Sequence, residues 1–227
     1  MKRLFVVLII LVLLPLASCK GVAKNKEKAL PKPEVDSESI FGVDKNINMS
    51  TIDDFLGRND VVYIDVRMLF DSADFAAIGG DADLSKTIDG FKVVPYPYIG
   101  SLSELPVTGG YASDCLYEIE WTDGFICSSV KANYQESDII LSEIFPKDKA
   151  IFLMCGGGGY AGMMKALLIE LGWNQELIYN VGGNWNYTGE YSKELIIYPE
   201  DASMSKIYAT WRVDYTYIEF SKLQRIN

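Results

Sequence analysis

An α/β domain with a largely parallel sheet is the fold this 227-residue chain predicts. Three neighbouring features carry that expectation. Ala150-Ile151-Phe152-Leu153-Met154 is an unbroken apolar run, the pattern of a strand buried on both faces. The glycine loop Cys155 to Gly159 follows at once, and Tyr160 to Leu171 then reads as a helix ended by Gly172. Leu177-Ile178-Tyr179 comes next as a second strand, so strand, turn, helix and strand form one crossover unit.

The other elements fall around that unit. Ser50-Thr51-Ile52-Asp53 has the form of a capping box, opening a short helix with Ile52, Phe55 and Leu56 on one face. Val61 to Asp65 is a short run of β-formers and predicts a buried strand. Met68 to Phe75 reads as a weak helix. Residues 79–114 are dominated by Gly, Asp, Ser and Pro, which predicts loops around one or two short strands. Cys115 to Val130 is β-rich, alternating through Leu116, Tyr117, Ile119 and Trp121. Glu136 to Phe145 predicts an amphipathic helix with Ile139, Ile140, Ile144 and Phe145 inward. The last thirty or so residues alternate like strands and predict an appended hairpin or edge, a β-rich extension over 196–227.

The N-terminus reads as a secretory leader. Lys2 and Arg3 precede an apolar run from Leu4 to Leu14, too short for the ~20 residues that span a bilayer comfortably. Leu16-Ala17-Ser18-Cys19 resembles a bacterial lipobox, which implies a signal peptide over 1–18 and acylation of Cys19. The expected product is an exported lipoprotein of the bacterial cell envelope, held on a membrane by its acyl chains. Residues 20–39 are rich in Lys, Glu and Pro without apolar period, so 19–43 is expected to be a flexible tether. The folded domain is then 44–195.

Composition narrows the chemistry. The formal charge is −10, which argues against nucleic acid as a partner. There is no histidine, so Ser-His-Asp and Cys-His nucleophiles and histidine metal sites are excluded. Cys155 stands at the carboxyl end of a buried strand and the start of a helix, where ligands bind in open parallel sheets. The glycines after it let backbone amides turn inward, and the helix N-terminus favours negative charge. A thiol so placed is expected to have a lowered pKa and to act as a nucleophile without a histidine partner.

These residues resemble the active-site segment of rhodanese-like sulfurtransferases: Cys155 to Gly162, then Ala166-Leu167-Leu168 and Leu171-Gly172-Trp173. Ile178 to Gly183 looks like the family's strand and double-glycine turn. Ile64-Asp65-Val66-Arg67 and Asp74-Phe75 are similar to its first strand signature. The resemblance spans roughly residues 45–195. It implies a three-layer rhodanese-like domain, with an enlarged insertion at about 79–135. It also implies that Cys155 takes sulfane sulfur as a persulfide, with Gly156, Gly157, Gly158, Gly159 and Tyr160 as its cradle. Asp65 and Arg67 would support that cradle, a small sulfur compound would be the donor, and a thiol the acceptor. No cofactor is implied. Active members usually carry Arg or Lys in this loop, where the chain has glycine and Tyr160, and the family's histidine-glycine step is missing. The alternative on the same fold is a catalytically inactive or redox-sensing binding module, with a protein partner in the envelope.

Rival patterns are weaker. Gly157-x-Gly159-x-x-Gly162 fits the dinucleotide fingerprint but comes late, with Asn180 where its acidic residue would stand. Ala161 occupies the position of a cysteine phosphatase's arginine. Asp81 and Asp83 lack the rest of a calcium loop. Cys115 and Cys127 flank a β-rich stretch and are candidates for a disulfide across a hairpin, with a bridge to Cys155 as the redox alternative. Trp185 and Tyr187 follow the double glycine and are candidate cleft residues.

Overall fold

The computed structural model describes residues 29–67, 86–102, 114–122, 126–194 and 218–226. In chain order the elements are β1 (Val61–Asp65), β2 (Lys86–Ile88), β3 (Lys92–Val93) and the single helical turn α1 (Tyr96–Ile99). Then come β4 (Tyr117–Thr122), β5 (Ile126–Ala132), α2 (Ser137–Ile144), β6 (Ala150–Cys155), α3 (Gly159–Glu170), β7 (Ile178–Gly183) and β8 (Ser192–Glu194).

The central sheet has the order β3-β1-β6-β7, and its pairings are all parallel. β6 lies in its middle, which is why that strand is apolar throughout and every residue of it is buried. The pleat sends alternate β6 residues to opposite faces. Ile151, Leu153 and Cys155 join α3, α2 and the hairpin residues in one core, while Ala150, Phe152 and Met154 join Ile47, Ile52, Phe55 and Tyr179 in the other. Sheet and two coverings make the expected α/β arrangement. β4 and β5 form an antiparallel hairpin, and β2 pairs with β8.

Several local expectations change. The helix at 52 is a 3-10 turn, Ile52–Phe55, and its Thr51 makes no side-chain cap. The Thr51 hydroxyl instead donates to the Asn46 carbonyl, and Asn48 Oδ1 accepts from Ser50 N–H. In α2 the buried positions are Ser137, Leu141 and Ile144, one stripe at helical spacing. Ile139 falls on the opposite face and is 63% exposed, contrary to its expected inward position.

The tether boundary also moves. Residues 29–43 pack on the domain: Tyr179 Oη donates to the Pro31 carbonyl, Asn180 Nδ2 to that of Phe41, and Val35 bridges Asp44. Leu30 packs against the second core. Composition misassigned this stretch because β7 side chains hold it by its backbone carbonyls, which leaves no apolar period.

At the other end, residues 218–226 are not a hairpin where described. They hold a 3-10 turn, Phe220–Lys222, and are fastened by the Tyr134–Arg225 bridge. Cys19 and the leader, Lys20 to Lys28, the helix expected at Met68 to Phe75, Asp81 with Asp83, and most of the C-terminal extension lie outside the described residues. Among the described residues no helix is long and apolar enough to cross a membrane.

Candidate functional site

Cys155 ends β6 and registers with Gly183 at the carboxyl edge of the sheet. Gly158, the residue before α3, has φ +100°, a conformation glycine adopts at little cost. That turn points the Gly158 N–H back at Cys155 Sγ, 3.0 Å away. The backbone amides of Ala161 and Tyr160 also act on the sulfur, each favouring the thiolate. The loop therefore turns backbone amides toward Cys155, with that of Gly158 bonded to the sulfur.

Its effect on the thiol differs from the expected one. Cys155 is only 1% exposed. Burial pushes its pKa up, and the Asp65 charge adds to this, outweighing the lowering by the Ala161, Gly158 and Tyr160 amides. Burial, invisible in the motif, reverses the expected sign: the resting group is a protonated thiol. Among the described residues Cys155 faces two titratable side chains: Asp65 from β1 and Tyr160 from α3.

The remaining predicted residues divide between the cradle and its supports. Gly156 and Gly157 form the bend after β6, and Trp185 lies on them. A Cβ on Gly156 would be 2.6 Å from Trp185 Cε2, and one on Gly157 3.1 Å from Cζ3. Trp185 N–H donates to the Gly156 carbonyl at 3.2 Å. Trp185 therefore shapes the loop directly and keeps a half-exposed indole beside it. Tyr160 contributes its amide, while its ring stacks on Tyr96 with centroids 5.7 Å apart. Its hydroxyl is pushed up to about 12 by burial and by Cys155.

Asp65 and Arg67 are wholly enclosed and paired. Arg67 Nε donates to Asp65 Oδ2 at 2.7 Å, Arg67 Nη2 to the Lys86 carbonyl at 2.7 Å, and Thr87 Oγ1 to Asp65 Oδ2 at 2.9 Å. They join β1 to β2, a supporting role. Tyr187 is not a cleft residue: its hydroxyl donates to Asp53 Oδ1 at 2.6 Å and accepts from Tyr191 N–H at 2.9 Å. This pins the 3-10 turn, and burial with the Asp53 bond pushes that phenol up.

Cys115, Cys127 and Cys155 are free thiols. The hairpin register explains why Cys115 and Cys127 do not bridge. Cys127 lies opposite Trp121, six residues beyond Cys115. At the usual strand rise that separation is roughly 20 Å, far outside disulfide reach. Among the described residues no cluster is suited to a metal. An open cleft of about 690 Å³ lies elsewhere, along β4 and α3, walled by Leu102, Ile119, Trp121 and Met163.

Asn180, weighed in the sequence only against a dinucleotide site, is fully buried and bonded to the loop. Its only signal was a polar residue inside a strand otherwise apolar to the double glycine.

Comparison with protein-family models, curated proteins and solved structures gives no match.

Proposed function

We propose that this chain is a rhodanese-like sulfurtransferase of the bacterial cell envelope, working through a Cys155 persulfide. The observation that supports it best is the amide cradle on Cys155 Sγ, with the Gly158 N–H at 3.0 Å. The thiol first gives its proton to the donor or solvent. The thiolate then attacks the terminal sulfur of a polysulfide, the sulfur–sulfur bond breaks, and a polysulfide one atom shorter leaves with the electron pair. An acceptor thiolate next attacks the outer sulfur of the persulfide, forming the acceptor's persulfide and restoring the Cys155 thiolate. Backbone donors aimed at the sulfur would hold negative charge in both states without a basic side chain.

A second reading, a non-catalytic or redox-sensing module, draws support from the enclosure of Cys155 and the upward push on its pKa. Mass spectrometry on the folded protein before and after polysulfide separates the two. The sulfurtransferase reading expects one added sulfur on Cys155, removable by cyanide and missing in Cys155→Ser. No adduct, together with no native-state alkylation of Cys155, would leave the binding module.

Lipid anchoring through Cys19 belongs to the same proposal, since it fixes the compartment. Cys19→Ala should lose incorporation of labelled fatty acid in a bacterial host; undiminished label would remove the lipoprotein reading.

A further inference from the structure

Asn180 sits in the middle of β7 with no exposed surface, and its amide ties its own strand to two other segments. Nδ2 donates to the Phe41 carbonyl at 2.8 Å and to the Gly158 carbonyl at 3.1 Å. Oδ1 accepts the Gly182 N–H at 3.0 Å. Two carbonyls on one side and an N–H on the other fix which way the amide faces. The Asn180 backbone carbonyl in turn accepts the Asp44 N–H at 2.7 Å.

Two of these partners are glycines with φ near +100°, Gly158 and Gly182. Val43 stands beside both, 3.4 Å from the Cβ position of the first and 3.5 Å from that of the second. Gly162, in the first turn of α3, has no room for a side chain, because its Cβ would be 2.7 Å from the Phe41 oxygen. Its N–H donates to the same Gly158 carbonyl at 3.0 Å. Gly158 is therefore gripped at both ends: its carbonyl by Asn180 and Gly162, its N–H by Cys155 Sγ.

We infer that Asn180 is the positioning residue of the sulfur cradle, holding Gly158 so that its N–H is presented to Cys155 Sγ. The N-terminal segment 29–47 is part of the same device, since Phe41 takes the other Nδ2 proton and Val43 closes the space between the glycines. No other side chain has the required set of donors at this length. Asp would set a carboxylate against two carbonyl oxygens, and Leu would remove both donations and the acceptor of the Gly182 N–H. The inference rests on Cys155 being the reacting thiol, but not on sulfur being what it transfers.

The test is the pH dependence of Cys155 alkylation by iodoacetamide, followed by mass spectrometry on the full folded chain. In Asn180→Ala the midpoint is expected to rise by about one pH unit, equal to a tenfold smaller thiolate fraction below it. A merely loosened loop would speed labelling at every pH and leave the midpoint where it was; that result would overturn the assignment. Should the variant fail to fold, the wild-type protein decides. The Asn180 side-chain NH₂ resonances should then follow the Cys155 titration and lose that step in Cys155→Ser. Resonances that stay flat would equally overturn it. If the coupling is present and polysulfide adds no sulfur, the positioning role stands and sulfur transfer alone is lost.

Discussion

Arg67 Nε donates to Asp65 Oδ2 at 2.7 Å with neither side chain exposed to solvent. A charge pair taken wholly out of water is held by completeness rather than by net attraction. Removing one charge of such a buried pair costs about 3–5 kcal/mol. Asp65→Asn keeps the shape and still accepts from Thr87, yet takes away the carboxylate charge paired with the guanidinium. Urea unfolding should show a loss of that size; a loss under about 1 kcal/mol would mean that the pair does not anchor β1 to β2.

Gly183 is the tightest point of the loop. A Cβ there would stand 2.5 Å from both Gly156 C and Gly157 Cα, with backbone rather than a movable side chain in the way. Gly158→Ala faces only its positive φ, a cost of about 1–2 kcal/mol. Gly183→Ala should therefore destabilise the fold at or beyond the upper end of the ~1–3 kcal/mol typical of overpacking. Equal chemical stabilities for the two variants would contradict the packing described.

Alkaline pH should destabilise the domain. Burial pushes Cys115 up to about 11, Tyr63, Tyr160 and Tyr179 up to about 12, and Cys155 in the same direction. The unfolded chain ionises first, near 9 for a thiol and 10 for a phenol. Above those values it binds fewer protons than the native state, so stability falls with rising pH. The contribution is complete below about pH 9 and lost between about 9 and 12. Melting temperatures recorded from about pH 8 to about 12 should decline, and Cys115→Ala should flatten the first part of the slope. A level profile would show that these groups meet solvent in the folded state.

The thiols should all be titratable. With Cys127 registered on Trp121, the hairpin keeps Cys115 and Cys127 apart. Non-reducing preparations alkylated in denaturant should carry a label on each of Cys115, Cys127 and Cys155, and reductant should leave the melting temperature unchanged. A missing pair of labels would require another register.

What was legible in the sequence was whatever local pattern dictates. The apolar run of β6 forecast a central strand, because a strand covered on both faces has no polar side to show. The glycines after Cys155 forecast the loop, because only glycine allows the Gly158 turn and the approach of Trp185. Only the tertiary structure decided the rest. Whether the Cys155 thiol is held protonated depends on how completely α3 and the hairpin enclose it, and desolvation is a property of neighbours distant in the chain. Trp185 and Tyr187, two residues apart and alike in sequence, have opposite fates because Asp53 captures one hydroxyl while Gly156 and Gly157 receive the other ring. Asn180 and the segment at Phe41 meet across 139 positions of chain, a contact that no periodicity encodes and only packing creates.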